Sequence, residues 1–469
     1  MIPNALRNSG SSIEKTVEQA FARAIVKHPL FTAGRLNDDS KRPCWARLRR
    51  IDLDNHIEWR TVPSSDDYDQ ILQDAMLWQV NNRYTHLETR PQWRSVILKP
   101  TESKFIDVVF AWDHTAGDGK SGRIFHDSLL ASLTSQESGE EAILIKDRSF
   151  EVPTKPFTPA LECLVKFPLT FNYVLTEAKR NLTISSNKAI SPQEATWAPI
   201  QPKPCETRFT TITVQESLFK PILNKCRQEN TTLTALLHTL VLVSLATRLP
   251  ETKAQAFQNG TPICMRQFYR PERSGLNMEE TVVNCVAYWP YIFDRHSVAK
   301  IRKQLKDVEA RPEASSEMEA TVWSLARESR QGLSEKLKQG TKNDAIGLTK
   351  FIRDWRSFLA DVSKTRTYSW EVSNLGVIKG AVPNKEETGG RCWEIERAIF
   401  TQAAPVAGAA LTFSLISVKD KALTVTCCWQ VGVVQEDLVQ ALSSDIETWL
   451  SRLGSIGHLD FVKRDNRGK

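Results

Sequence analysis

The stretch FAWDHTAGDGKSGRIFHDSLL places one histidine, two aspartates and three glycines within the ten residues from Asp113 to Gly122. Two chemistries fit these letters. Gly117-Asp118-Gly119-Lys120-Ser121-Gly122 spells G-x-G-x-x-G, a loop that can cradle a pyrophosphate. His114-x-x-x-Asp118-Gly119 instead offers an imidazole for proton transfer and a carboxylate to brace the turn. The phosphate reading fails on position. Its first glycine must lie close to the strand end, so that the backbone meets the pyrophosphate at the helix N-terminus. Here DHTA separates Trp112 from Gly117, and the Asp118 carboxylate would repel phosphate. The Walker spacing fails too, because the position five before Gly119 is His114. Imidazole, with an unperturbed pKa of about 6.5, can take a proton near neutral pH. Asp118 can pin the turn through hydrogen bonds or an arginine ion pair. Gly119 lets the backbone turn tightly. The spacing alone is common, and a loop histidine bonded to the backbone satisfies it equally. His28, His56, His86, His126, His238, His296 and His458 have no motif around them, and no metal-ligand spacing connects them.

The run KFIDVVFAW leads into this motif and is apolar on both faces, which predicts a central strand. WRSVILK predicts a second strand. Upstream, Ile13, Val17, Phe21, Ala24 and Ile25 recur at helical spacing, so a helix is expected over 13–27 with Ser11-x-x-Glu14 as its capping box. Prolines at 153, 156, 159, 168, 192, 199, 202 and 204 mark a connection draped over the surface, with one helix near 172–180. Beyond it, TRFTTITV predicts a strand. TTLTALLHTLVLVSLATRL predicts a buried helix capped by Thr232 or Thr234. A helix over 317–339 is expected to open on the capping box Ser316-x-x-Glu319. The strand TYSWEVSN is expected to break at NLG, where Gly376 can take a positive φ. A hairpin over 409–429 and a final helix over 436–453 complete the pattern. The reading is mixed α/β: an N-terminal domain over 1–175, a linker over 176–206 and a C-terminal domain over 207–469.

At 469 residues, with 41% hydrophobic and 25% charged residues, the chain suits a globular protein of two or three domains. The net charge of +7 is spread along the chain, which argues against nucleic acid as a partner. Nine cysteines without a C-x-x-C point to reduced thiols. The N-terminus lacks the apolar core of a signal peptide, and the longest apolar stretch, ALLHTLVLVSLA, is too short to span a bilayer. A soluble, cytoplasmic monomer without a transmembrane segment is expected.

DHTAGDGKSG resembles the H-x-x-x-D-G signature of the acyl-CoA-dependent acyltransferases related to chloramphenicol acetyltransferase, plant acyltransferases and condensation domains. YSWEVSNLGVIKG, TTLTALLHTLVLVSLA and the strand pair after IFTQAAPVAGAA are most similar to the fungal alcohol acetyltransferase branch. The resemblance runs from about 13 to 453 and keeps the family order. Asp113 stands where many relatives carry a second histidine. Relatives usually have a strand and a helix before EKTVEQAFARAIVKHP, so the N-terminus looks short.

The resemblance implies two α/β domains around a central channel, with a segment near 366–400 crossing over to the first. It implies acyl transfer, with acetyl-CoA as co-substrate and no permanently bound cofactor or metal. The acceptor would be a hydroxyl-bearing small molecule, such as a secondary metabolite. His114 would be the general base of a ternary complex, with no covalent acyl-enzyme. Asp118 would pair with Arg391 or Arg266, and Gly119 would turn the loop. Ser373, Asn374, Gly376 and Gln402 would shape the channel, with Trp370 beside them. Backbone N–H groups of the His114–Gly119 turn, or Ser373 and Asn374, would stabilise the oxyanion. Lys120 and Arg123 could meet CoA phosphates. The same fold could also host elimination, cyclisation or hydrolysis, or a binding function without catalysis.

Overall fold

The computed structural model describes residues 13–64, 67–134, 145–186, 193–362, 364–380 and 393–462. The chain divides into two compact units. Unit 1 comprises Met1–Lys166, Cys264–Val286 and Val377–Arg397, and unit 2 comprises Phe167–Ile263, Ala287–Gly376 and Ala398–Lys469. The stretch Cys264–Val286 has no counterpart in the division expected from sequence.

In unit 1 the helix Ile13–Lys27 buries Val17, Phe21, Ala24 and Ile25, as its spacing predicts. Ser11, its expected cap, lies outside the described residues. A three-stranded sheet carries the motif. Trp93–Pro100 is its middle strand, parallel to Ile57–Val62 and antiparallel to Asp107–Trp112. The strand expected to be central, Asp107–Trp112, therefore ends this sheet, and most of it is half-buried. Its apolar character has another cause: Phe110 stacks on Phe125 of the helix Gly119–Thr134 at 3.6 Å between ring centres, within a cluster of Phe21, Phe31 and Trp93.

Trp112 locks the strand end to the helix start. Its indole nitrogen donates to the Gly117 carbonyl at 2.8 Å. Its ring fills the space beside Gly122, where a Cβ would lie 2.1 Å from the ring. Gly122→Ala should force Trp112 aside and cost about 1–3 kcal/mol as overpacking does. A lower melting temperature with a disturbed tryptophan signal is the expected result; unchanged melting would show that the contact yields freely.

In unit 2 a six-stranded sheet runs in the order Val286–Phe293, Phe257–Cys264, Tyr368–Ile378, Ala409–Val418, Leu423–Gln430, Thr207–Val214. Helices Glu216–Gln228, Leu233–Arg248 and Glu436–Ile456 pack with one face of it, around Phe413, Leu415, Val425 and Trp429. On the opposite face, Thr424 and Thr426 donate to the carbonyls of Ala398 and Phe400 at 2.7 and 2.6 Å. Segment 398–402 thus covers part of that face, and both hairpin strands are buried throughout.

One open choice is settled and two local expectations change. Thr232 caps the buried helix through the Ala235 N–H, because the Thr234 hydroxyl meets Asn374 instead. The capping box at Ser316 does not form. The 3-10 turn Pro312–Ala314 runs straight into the helix Ser315–Gln339, so Ser316 lies inside it and bonds back to the Glu313 carbonyl. The strand Tyr368–Ile378 does not break at NLG either. It continues past Gly376, whose φ of +74° makes a local kink that the Asn374 side chain braces.

Candidate active site

The turn from Asp113 to Asp118 joins the strand Asp107–Trp112 to the helix Gly119–Thr134. Asp113 holds the near end. Its carboxylate accepts from the Thr115 N–H at 2.9 Å and hydroxyl and lies 3.4 Å from Arg35. Asp118 holds the far end and is fully buried. One of its oxygens accepts from the Ser121 N–H and hydroxyl, both at 2.9 Å. Its other oxygen accepts from the Cys285 N–H at 3.0 Å and from Arg266 at 2.6 Å.

Arg266 is the arginine partner left open by the sequence; Arg391 lies outside the described residues. The guanidinium grips both carboxylate oxygens and donates to the Val283 and Thr281 carbonyls at 2.9 and 3.2 Å. Both side chains are only 1% exposed. Burial alone would lower the arginine, but the Asp118 charge and hydrogen bonds outweigh it and raise Arg266 above its ordinary value. A buried pair of this kind gains from every further hydrogen bond; here both terminal nitrogens of Arg266 are engaged, and its Nε is buried without a partner among the described residues.

His114 sits between these anchors and is exposed. Asn284 is its partner, which sequence reasoning missed. The Asn284 amide nitrogen lies 3.0 Å from the His114 carbonyl and 3.1 Å from its Nδ1. Nε2 has no partner among the described residues. The only prior signal for Asn284 was one polar residue inside the apolar run TVVNCVAYW. Asn284→Ala should lower kcat on the order of tenfold by freeing the ring, with KM nearly unchanged. An unchanged kcat would show that the ring orients itself.

The remaining predicted residues distribute as follows. Gly119 opens the helix and is not among the glycines with positive φ, so the turn is set by the Asp118 contacts rather than by a glycine hinge. Lys120 pairs with Glu279 at 2.7 Å, which occupies the ammonium proposed for CoA phosphates. The Thr115 and Ala116 N–H groups bond to Asp113, so neither is free for an oxyanion. Ser373, Asn374, Gly376 and Gln402 belong to unit 2. There Ser373 is buried, Asn374 links Thr234 to Gly376, and Gln402 donates to Ser414 at 3.1 Å.

Trp370 is a core residue, 0% exposed, and its indole N–H donates to His238 Nδ1 at 2.9 Å. The His238 proton therefore sits on Nε2, which donates to Thr261. Burial pushes His238 down to about 3 and His28 likewise to about 3, while His56 and His126 fall to about 4. These four are neutral packing groups at physiological pH.

Comparison with solved structures gives the class first. The chain is similar to a trichothecene 15-O-acetyltransferase from Fusarium sporotrichioides, with 13% identity, coverage of 96% and 87% of the two chains, and a TM-score of 0.66. It is also similar to the epimerization domain from the third module of tyrocidine synthetase B, at 12% identity, 96% and 89% coverage and a TM-score of 0.54. These likenesses establish that the chain shares the fold of these two proteins.

The alcohol acetyltransferase family model then matches residues 64–445, so the chain belongs to the alcohol acetyltransferase family and is an acyltransferase. A probable alcohol acetyltransferase of Fusarium pseudograminearum is 28% identical, over 96% of this chain and 88% of that protein. One of Aspergillus fumigatus is 24% identical, over 92% and 88%. Among the described residues no single helix is long and apolar enough to cross a membrane.

Proposed function

We propose that the protein transfers an acetyl group from acetyl-CoA to a hydroxyl of a small molecule, with His114 as general base in a ternary complex. The observation that carries this reading is an exposed imidazole on a turn clamped by the buried Asp118–Arg266 pair, in a chain of the alcohol acetyltransferase family. The ring takes the proton from the acceptor hydroxyl as its oxygen attacks the thioester carbonyl. The tetrahedral intermediate collapses, the C–S bond breaks, and the imidazolium returns the proton to the departing thiolate. The ester and free CoA leave. Nε2 is the nitrogen open to substrate. To accept a proton there, the ring must carry its own proton on Nδ1, and the Asn284 amide N–H must then give up its contact with Nδ1 while it keeps the His114 carbonyl. Asp118 touches no substrate in this scheme; it positions the turn.

The name of the Fusarium sporotrichioides relative supports a natural-product hydroxyl as acceptor, and hence a role in secondary metabolism. The fold likeness to an epimerization domain supports a second reading, in which the same base moves protons without acyl transfer.

One assay separates them. The protein is incubated with acetyl-CoA and a panel of alcohols, with thiol release and ester formation followed together. Acceptor-dependent release with one ester per thiol is expected. Conversion of a metabolite without any acyl-CoA would overturn the transfer reading in favour of the second.

A further inference from the structure

Unit 1 holds a cavity of about 470 Å³, and none of its lining residues belongs to the Asp113–Asp118 turn. Its volume lies in the range of about 300–1,000 Å³ that small-molecule sites occupy. The two-stranded sheet of Arg50–Asp52 with Ser149–Glu151 contributes part of the lining, and Thr89, Arg90 and Pro91 contribute another part. Only Ile51 and Pro91 among the lining residues are apolar, so an apolar ligand gains little there.

His56 is the most telling of these residues. It is only 6% exposed, and its ring lies against Trp93 at 4.5 Å between centres. Burial keeps the ring neutral at physiological pH. Its Nδ1 lies 2.8 Å from the Trp93 carbonyl, which can only accept, so the ring proton sits on Nδ1. Nε2 is left as an acceptor, without a partner among the described residues and not sealed from water. A largely buried acceptor of this kind calls for a donor from a ligand, a hydroxyl or an N–H. The side chains of Arg90 and Asp147 also have no partner among the described residues. Asp147 stands at φ +49° and Arg148 at +51°, a left-handed pair that side chains disfavour. Arg148 turns to Glu18 at 2.8 Å and to the Ile57 carbonyl at 3.2 Å, while Asp147 stays on the cavity lining. Arg50 donates to Ser149 Oγ at 2.9 Å, and Asp52 accepts from Asn55 at 2.9 Å. These bonds pre-position the rest of the polar lining.

The lining carries two guanidiniums, Arg50 and Arg90, and two carboxylates, Asp52 and Asp147. An anion meets both carboxylates there, and a cation meets both guanidiniums. A neutral polyol offers each open group what it lacks: hydroxyl hydrogens for His56 Nε2 and Asp147, and hydroxyl oxygens for Arg90. We propose that this cavity binds a neutral polyhydroxylated molecule of monosaccharide size through His56, Asp147 and Arg90. The site does not rest on the acetyl-transfer reading, since its occupancy is read without acetyl-CoA.

The test titrates the full chain by calorimetry. D-glucose, D-galactose and myo-inositol serve as neutral probes, free glycine as a zwitterion and inorganic phosphate as an anion. Saturable binding of at least one neutral probe is expected, and none of glycine or phosphate at the same concentrations. Asp147→Gly suits the left-handed backbone, so its melting temperature should not fall, while affinity for that probe drops on the order of tenfold. Arg90→Ala, at a side chain without a partner among the described residues, should likewise keep its melting temperature and lose affinity. Failure of every neutral probe to bind would overturn the proposal, as would a preference for glycine or phosphate. Binding that both variants leave intact would place the ligand elsewhere and overturn it too.

Discussion

His114→Ala should lower kcat/KM for acetyl transfer by roughly 10²–10⁴-fold, the range for loss of a general base. The melting temperature should stay within a degree or two. The two effects separate because the ring is exposed, and its contacts are confined to Asn284. No other described histidine is placed to substitute. His28, His56, His126 and His238 are held neutral by burial, and His86, His296 and His458 lie outside the turn. Steady-state kinetics with a responsive alcohol, together with thermal melting, checks the prediction. Full activity in the variant would move the base elsewhere.

Arg266→Ala should do the reverse and damage the fold first. Removing one partner leaves the Asp118 carboxylate buried without its countercharge, at a cost of about 3–5 kcal/mol. For a unit of this size that lowers Tm on the order of 10 °C. Activity should fall as well, because the arginine also ties the Val283 carbonyl, next to Asn284, to the turn that carries His114. Lysine should not rescue, since a single ammonium cannot grip both oxygens of Asp118 and two carbonyls at once. The double variant Asp118→Ala with Arg266→Ala should cost clearly less than the sum of the single changes, as coupled partners do. Additive losses would show that the two side chains act independently.

The motif was legible because its parts are local. His114, Asp118 and the strand-to-helix context lie within one short stretch, and the resemblance extended them to a family. The elements were legible where periodicity was strong, as in Ile13–Lys27 and the hairpin of Ala409–Val418 with Leu423–Gln430. What failed depends on tertiary placement. Choosing Arg266 over Arg391 needs a pairing across 148 residues. Asn284 carries no motif; it matters because it lies against His114. Gly119 looked like the hinge, but the steric need falls on Gly122, which the Trp112 ring imposes. Ser316 has the right spacing for a cap, and the preceding Pro312–Ala314 turn removes the helix end it would have capped.

The return of Cys264–Val286 to unit 1 bears on how the protein can be made and cut. During synthesis the Asp118 carboxylate emerges long before Arg266, Val283 and Cys285 exist. The turn that carries His114 therefore cannot gain its Arg266 clamp on the nascent N-terminal half, however early its sheet forms. The same threading sets a limit for engineering. A clone ending after Lys166 would contain the whole signature sequence but lack Arg266, Val283, Asn284 and Cys285, so a chimera that exchanges this half must carry the later stretch with it.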